Sequence, residues 1–398
     1  MAVTEDLPAL PFERPTILDA PPLLLRLQAE GPVRRVRTPA GDVAWLVTGY
    51  ENVRALLGDD RLGRSHPEPE RAPRFSSAAF LSATRADPET EKAQHSRMRR
   101  LLTRSFLVRR MHALRPAIQA IVDDLLDRLA ACAPPGDLHA ALSMPLPVLV
   151  ICELLGVPYE DRDQFREWSD DASNLFDAAR AGAGYRRLNA YMADLVRRRR
   201  NDLREDVISD LLAASREEPG LTDEGVAQLG AGLLFAGHET TMTRLDLGAL
   251  LLLTHPEQRR ALAANATLVE GAVEEILRFA SGGQGVLPRY ASASLDVGGA
   301  AIEAGDLVLL AVGAANRDDR AFAEADRFDI QRGDGQHLGF GYGSHFCLGA
   351  GLARVELQVG LGTLVRQFPG LQLAVPVEEL RQRDDLLTGG LASLPVRW

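Results

Sequence analysis

The sequence of 398 residues predicts a mainly α protein with small β elements near both ends. Three observations carry that prediction. From about Tyr50 apolar residues recur at helical spacing for most of two hundred residues. Before that, the segments 33–37 and 43–47 flank the turn Thr38-Pro39-Ala40-Gly41 and read as a hairpin. After Gly282 the texture changes, and short apolar runs such as 307–312 alternate with Gly, Asp and Pro.

Taken in order, the first twenty or so residues are rich in acids and prolines and read as irregular. The segment 64–91 is rich in Pro, Ser, Ala and charge, with weak periodicity, and reads as a long loop of the kind that often carries function. Helices are expected near 92–109, 111–131, 141–155, 160–176, 184–199 and 205–215, followed by longer ones at 222–254 and 267–280. A last helix starts after Cys347 and runs to about Phe368. No Ser/Gly linker, repeat or sharp compositional boundary interrupts the chain, so 1–398 is expected to form one domain.

Composition narrows the function. With 46% hydrophobic and 25% charged residues, the chain is neither disordered nor low in complexity. A formal charge of −10 argues against general nucleic-acid binding. The three cysteines, Cys132, Cys152 and Cys347, form no CxxC pair. They cannot supply a disulfide framework, a zinc ribbon or a four-cysteine iron–sulfur site, which points to a reducing compartment. The uncharged runs 225–238 and 138–152 are short for a bilayer span, and Pro145 and Pro147 interrupt the second. The N-terminus lacks the basic head and apolar core of a secretory signal, so a cytoplasmic location is expected.

The most informative stretch is Phe340-Gly341-Tyr342-Gly343-Ser344-His345-Phe346-Cys347-Leu348-Gly349, which leads into a helical pattern. Glycines around one cysteine permit unusual backbone angles and close approach to something flat. A cysteine at a helix N-terminus is favoured as thiolate. Residue chemistry alone leaves open a buried structural cysteine and a nucleophilic Cys–His pair using His345 or His337.

The spacing Phe-Gly-x-Gly-x-His-x-Cys-x-Gly resembles the haem-binding loop of the cytochrome P450 superfamily, with no substitution at its fixed positions. The resemblance runs from about Leu24 to the C-terminus. It implies the cytochrome P450 fold, a helical domain with a small β-rich region, and a haem b cofactor with Cys347 as proximal thiolate ligand. Phe340 would pack beside the ligand, Gly349 would allow close approach, and His345 would reach a haem propionate.

Three further constellations match the family. Glu275 and Arg278 form an ExxR pair at i,i+3, an arrangement that on an exposed helix is worth only ~0–1 kcal/mol. The resemblance adds Arg327, from Ala325-Asp326-Arg327-Phe328, as third member of a buried triad. Ala236-Gly237-His238-Glu239-Thr240-Thr241 lies in the long helix. Its His238-Glu239 opens like a zinc-protease HExxH, but Met242 stands at i+4, so that reading fails. The family's oxygen-activation motif assigns proton relay to Glu239 and a hydrogen bond to the dioxygen being activated to Thr240, with Gly237 easing a local widening of the helix. His95 and Arg99 are i,i+4 partners suited to an anion, and the family uses that pair, with an arginine equivalent to Arg289, on the haem propionates. From His95 to Met111 there are six arginines and no acid, a patch suited to an acidic redox partner.

Two departures stand out. The family's acidic-proline lead-in to His95 is replaced by Glu91-Lys92-Ala93-Gln94, and a common Ser-Pro after Arg278 is replaced by Ser281-Gly282-Gly283-Gln284-Gly285, which should widen the substrate pocket. That pocket is expected along loop 64–91, region 172–188, 233–240, 284–287 and 388–391, including Leu234, Phe235, Ala236, Val286, Leu287 and Leu391. Its many small residues suit a bulky, mostly apolar molecule such as a polyketide, macrolide or terpenoid. The chain carries no G-x-G-x-x-G fingerprint and no iron–sulfur cysteine set, so electrons are expected from a ferredoxin and a ferredoxin reductase. The rival readings are a non-catalytic haem-binding protein and a Cys347-dependent hydrolase. Cys132 and Cys152 read as packing residues in apolar helices.

Overall fold

A computed structural model describes residues 7–76, 86–172, 174, 177–218, 220–280, 285–333, 335–383 and 389–398. The helices are α1 Pro22–Glu30, α2 Tyr50–Leu57, α3 Pro88–Thr103, α4 Val108–Ala113, α5 Arg115–Ala130, α6 Pro145–Leu155 and α7 Arg162–Ala172. They continue with α8 Ala178–Arg199, α9 Val207–Ala214, α10 Asp223–Thr254, α11 Pro256–Ala264, α12 Val269–Phe279, α13 Val312–Ala315 and α14 Ala350–Gln367. The strands are β1 Val33–Arg37, β2 Val43–Val47, β3 Leu62–Gly63, β4 Gly136–Asp137 and β5 Leu287–Ala291. Then come β6 Leu295–Val297, β7 Ala300–Ile302, β8 Leu307–Leu310, β9 Gln372–Leu373 and β10 Pro395–Arg397. The mainly α prediction holds.

The chain forms two compact units. One comprises the residues up to His95 with Leu277–Phe328 and Arg332–Cys347. It is built on a five-stranded sheet of order β1-β2-β8-β5-β3. The predicted hairpin is present, with β1 and β2 antiparallel in the register Val33↔Val47 to Arg37↔Val43. Gly41 closes its turn at φ 89°, a conformation that costs glycine little. The run 307–312 supplies β8, parallel to β2 and antiparallel to β5. All four β8 residues are buried because the sheet is covered on both faces. Val308 and Leu310 join a core with Val47, Val53 and Phe322, whereas Leu307 and Leu309 join the opposite core with Val36, Leu46 and Tyr290.

The second unit contains Ser96–Ile276, Asp329–Gln331 and Leu348–Trp398. Its axis is α10, a helix of 32 residues capped by Thr222, whose hydroxyl accepts from the Gly225 amide at 3.1 Å. Leucines and small residues surround it, as expected of a helix packed on several sides, here by α6, α8 and α14. Glycines set the close approach to α14: a Cβ on Gly248 would lie 2.9 Å from Leu361, and one on Gly360 would lie 3.1 Å from Leu245. A three-stranded sheet, order β4-β10-β9, ties the C-terminus to Gly136–Asp137, a β element the sequence did not predict in the middle of the chain.

Several predicted boundaries shift for local reasons. The helix expected at 92–109 starts at Pro88 and ends at Thr103, whose hydroxyl bonds the Arg99 carbonyl at 2.6 Å. Residues 88–91, predicted as loop, belong to α3. The helix expected at 111–131 is divided at Leu114, where Pro116 opens α5. The one expected at 141–155 begins as a π-type turn, His139–Ser143, before Pro145 starts α6. Cys152 is buried as predicted, but Cys132 is exposed beyond the end of α5. Among the described residues no helix is long and apolar enough to cross a membrane.

Candidate functional site

In the first unit the cysteine loop turns on two glycines with positive φ, Gly341 at 73° and Gly343 at 71°. At Gly343 a Cβ would meet the Gly58 Cα at 2.9 Å, so glycine is required there by both angle and space. The Cys347 amide donates to the Phe340 carbonyl at 2.8 Å, closing the loop. Cys347 remains partly accessible, and Phe340 sits 6.2 Å from Phe346, ring to ring. Three residues after Cys347 the chain enters α14, with Gly349 at its N-cap.

Two residues predicted to grip an anion meet in this unit. The rings of His95, on α3, and His345, in the cysteine loop, stack with centroids 3.9 Å apart. Arg99 stands one turn beyond His95 on α3. Arg289, on β5, donates to the Pro288 carbonyl at 2.8 Å. Burial lowers its pKa, the nearby Arg64 lowers it further, and Glu91 opposes. A half-buried guanidinium beside a second cation suits an anion. The role of Glu91 is not encoded in any local spacing. Its carboxylate accepts from the Arg64 amide at 2.9 Å, from the Ser65 amide at 2.8 Å and from the Ser65 hydroxyl. Burial would raise its pKa, but these hydrogen bonds hold it below the usual range.

Arg278 is fully buried and donates to the carbonyls of Asn316 at 2.7 Å, Ala325 at 2.8 Å and Arg327 at 3.3 Å. Its guanidinium thus pins the meander that precedes the cysteine loop. The Arg327 side chain, by contrast, is 59% exposed and pairs with Glu324 at 3.1 Å, so it is not the buried third member expected; its backbone carbonyl is what Arg278 holds. In the second unit, buried Glu275 accepts from the Asp329 amide at 2.9 Å.

The second unit presents the other motif on α10. Glu239 and His238 are buried, whereas Ala236 and Thr240 are exposed, with Gly232 on the same stripe one turn earlier. No atom lies within 4 Å of a Cβ placed on Gly232. An accessible stripe on an otherwise enclosed helix marks a face that can receive a ligand. The Thr240 hydroxyl donates to the Ala236 carbonyl at 2.8 Å. Helix α10 is α-helical throughout, and Gly237 makes room for Ile151, whose Cδ1 would lie 3.3 Å from an added Cβ.

The comparisons with known proteins decide the family. The sequence pattern of the family described as cytochrome P450 matches residues 182–386. The chain is 45% identical to pentalenolactone synthase of Streptomyces exfoliatus, over 98% of this chain and 99% of that protein. The chain belongs to the cytochrome P450 family. It is also 43% identical to the mycinamicin IV hydroxylase/epoxidase of Micromonospora griseorubida, over 94% of each chain. Among solved structures, the substrate-free polyene macrolide epoxidase PimD superposes with a TM-score of 0.90 at 41% identity, over 99% of this chain and all of that one.

This P450 is therefore an oxidoreductase of the monooxygenase type, and its family implies a haem cofactor. Its residues fit that group. In the first unit the glycine loop leaves Cys347 only partly buried, and Arg289, with Arg64 near it, suits an anion. In the second unit α10 presents an open stripe at Gly232, Ala236 and Thr240.

Of the predicted pocket residues, Ala236 and Leu287 are exposed, Val286 is partly so, and Leu234, Phe235 and Leu391 are buried against protein atoms. Residues 77–85, 281–284 and 384–388, where the pocket loop, the Ser-Gly-Gly departure and Thr388 fall, lie outside the described residues.

Sequence reasoning missed three buried ionisable groups and a half-buried arginine on or around α10 and α14. His139 and Asp246 form a pair at 2.8 Å. Glu356, on α14, is pushed well up by burial, and its Oε2 has no hydrogen-bond partner. Arg244, one turn beyond Thr240, is pushed down to about 10 by burial. An acid or arginine inside an apolar helical run is the signal that could have found Asp246, Glu356 and Arg244.

Proposed function

We propose that this P450 is a haem b monooxygenase hydroxylating or epoxidising a bulky, mostly apolar small molecule of polyketide, macrolide or terpenoid type. The observation that carries the reading is the cysteine loop, in which two glycines with positive φ and the Cys347–Phe340 hydrogen bond fix a partly exposed cysteine. The names of the relatives support the substrate class: pentalenolactone synthase, a mycinamicin hydroxylase/epoxidase and a polyene macrolide epoxidase.

When bound, the haem supplies dioxygen activation, with one oxygen atom going to the substrate and the other to water. The chain's own residues do the rest. Cys347 holds the cofactor as thiolate, and Phe340 shields its sulfur. His95, Arg99, Arg289 and His345 take the propionates through charge-assisted hydrogen bonds. Glu239 relays protons, and Thr240 presents an exposed hydroxyl for hydrogen bonding at the reacting face. Arg278 holds the meander that leads to the cysteine loop, and Glu275 holds the Asp329 amide that follows it.

The two electrons per turnover come from a ferredoxin and its reductase. Within the basic stretch, Arg97 and Arg100 face Glu218, and Arg110 pairs with Asp210, so those charges are partly neutralised. Arg104 and Arg109 remain exposed beside Leu107 and Val108, which are 51% and 66% accessible. That mixture of cations and apolar surface suits an acidic partner bound transiently.

The test is turnover in ¹⁸O₂ with a ferredoxin, its reductase and a panel of macrolide and terpenoid substrates. One labelled oxygen in the product, with none from labelled water, is expected. A panel that gives spin-state shifts but unlabelled products would refute the reading.

A further inference from the structure

Asp246 lies on α10 six residues beyond Thr240, with no accessible side-chain surface. Its Oδ2 stands 2.8 Å from Nδ1 of His139, which is itself 7% accessible and sits in the π-type turn before α6. The same neighbourhood holds the C-terminal turn. Asp137 accepts from the His139 amide at 3.0 Å and from the Leu394 amide at 2.8 Å. The Leu138 amide donates to the Leu394 carbonyl at 2.9 Å, and Ala392 donates to Arg381 at 2.9 Å. Gly390 rests on α10: a Cβ there would lie 3.1 Å from the Thr243 hydroxyl and 3.7 Å from Met242. The Leu391 amide faces the Asp246 carboxylate and favours its anion.

We propose that the His139–Asp246 pair is a positioning element that locks the C-terminal turn 389–394 to α10 within two turns of Thr240, and so sets how a bulky substrate is held relative to that hydroxyl. The consequence for substrate rests on the function proposed above; the lock itself does not. A hydrophobic pair would fill the same volume without desolvating two ionisable groups. The retained pair instead orients three segments through directional bonds.

The lock has a pH signature. Burial would lower the His139 pKa, but the hydrogen bond and charge of Asp246, aided by Asp137, outweigh it and leave it raised, with Arg383 acting the other way. Burial raises Asp246, while His139, the Ser143 hydroxyl and the Leu391 amide pull it back. A raised folded value means that the bond is fully formed below about pH 6.5 and weakens as pH rises through the folded His139 value.

The test is hydrogen–deuterium exchange on the haem-loaded protein and on Asp246→Asn and His139→Gln. Exchange of the Ala392 and Leu394 amides should rise about tenfold or more in either variant, while α14 amides keep their protection. In the parent, protection of those two amides, corrected for intrinsic exchange, should fall with rising pH, and His139→Gln should flatten that dependence. The dissociation constant of 4-phenylimidazole, read optically, should change about threefold or more, or ~0.65 kcal/mol. Unchanged turn exchange in a folded variant, or an equal rise across α14, would overturn the lock. If Asp246→Asn fails to fold, His139→Gln and the pH series on the parent decide. A changed turn with an unchanged 4-phenylimidazole constant would overturn the substrate-setting role and leave the haem assignment to its own spectral test.

Discussion

His95 and His345 stack ring on ring, centroids 3.9 Å apart and planes inclined by 30°. The contact joins α3 to the cysteine loop within one unit, and both imidazoles can then turn a donor towards the same carboxylate. His95→Ala should leave the fold intact and speed haem loss. One charge-assisted hydrogen bond is worth ~1.5–3 kcal/mol, so haem transfer to excess apomyoglobin should be roughly 10- to 100-fold faster. Equal transfer rates would remove His95 from the cofactor site.

Gly343 and Gly349 should respond differently to alanine. At Gly343 the new Cβ meets backbone at 2.9 Å and the residue must hold φ 71°, so Gly343→Ala should lower stability by ~2 kcal/mol or more. No atom lies within 4 Å of a Cβ on Gly349, and its φ is −82°. Gly349→Ala should therefore fold normally and lose haem affinity, because the added methyl intrudes only on the cofactor. Thermal melts of the haem-free proteins beside haem titrations separate the two effects.

Glu91 gives a second pH dependence, of opposite sign to that of His139. Its folded pKa is lowered by the Ser65 hydroxyl and the Arg64 and Ser65 amides against the opposing effect of burial. The stabilisation is therefore present above the unfolded value, ~4.3, and is lost as pH falls through the folded value. Glu91→Gln should cost ~1–3 kcal/mol at pH 7, and the gap to the parent should close in acid. Urea melts at pH 7 and pH 3.5 measure it; a gap that widens in acid would contradict the assignment.

Arg278→Ala removes a guanidinium that satisfies three carbonyls, and should cost ~3–5 kcal/mol or prevent folding. Glu275→Ala should yield a protein depleted in haem. A folded Glu275→Ala protein with full haem content would count against its structural role.

What the sequence made legible follows from how far each signal travels along the chain. Cys347, Glu239 and Thr240 lie in contiguous motifs, and the hairpin and α10 follow from local periodicity. The division at Leu114 hinges on Pro116, whose ring suits a first turn better than a helix interior, a signal that was present but overridden by the periodic pattern. The stacking of His95 on His345, the capping of Ser65 by Glu91 and the His139–Asp246 pair join residues far apart in sequence. No local spacing encodes them; they arise only when packing brings the segments together.

The central claim is that Cys347 ligates haem iron as a thiolate. The most direct measurement is the absorption spectrum of the dithionite-reduced, haem-loaded protein with carbon monoxide, beside that of Cys347→Ser. A strongly red-shifted Soret band in the parent, absent from Cys347→Ser, is the predicted result. A parent protein that binds haem without that band, or a Cys347→Ser protein that keeps it, would contradict the account.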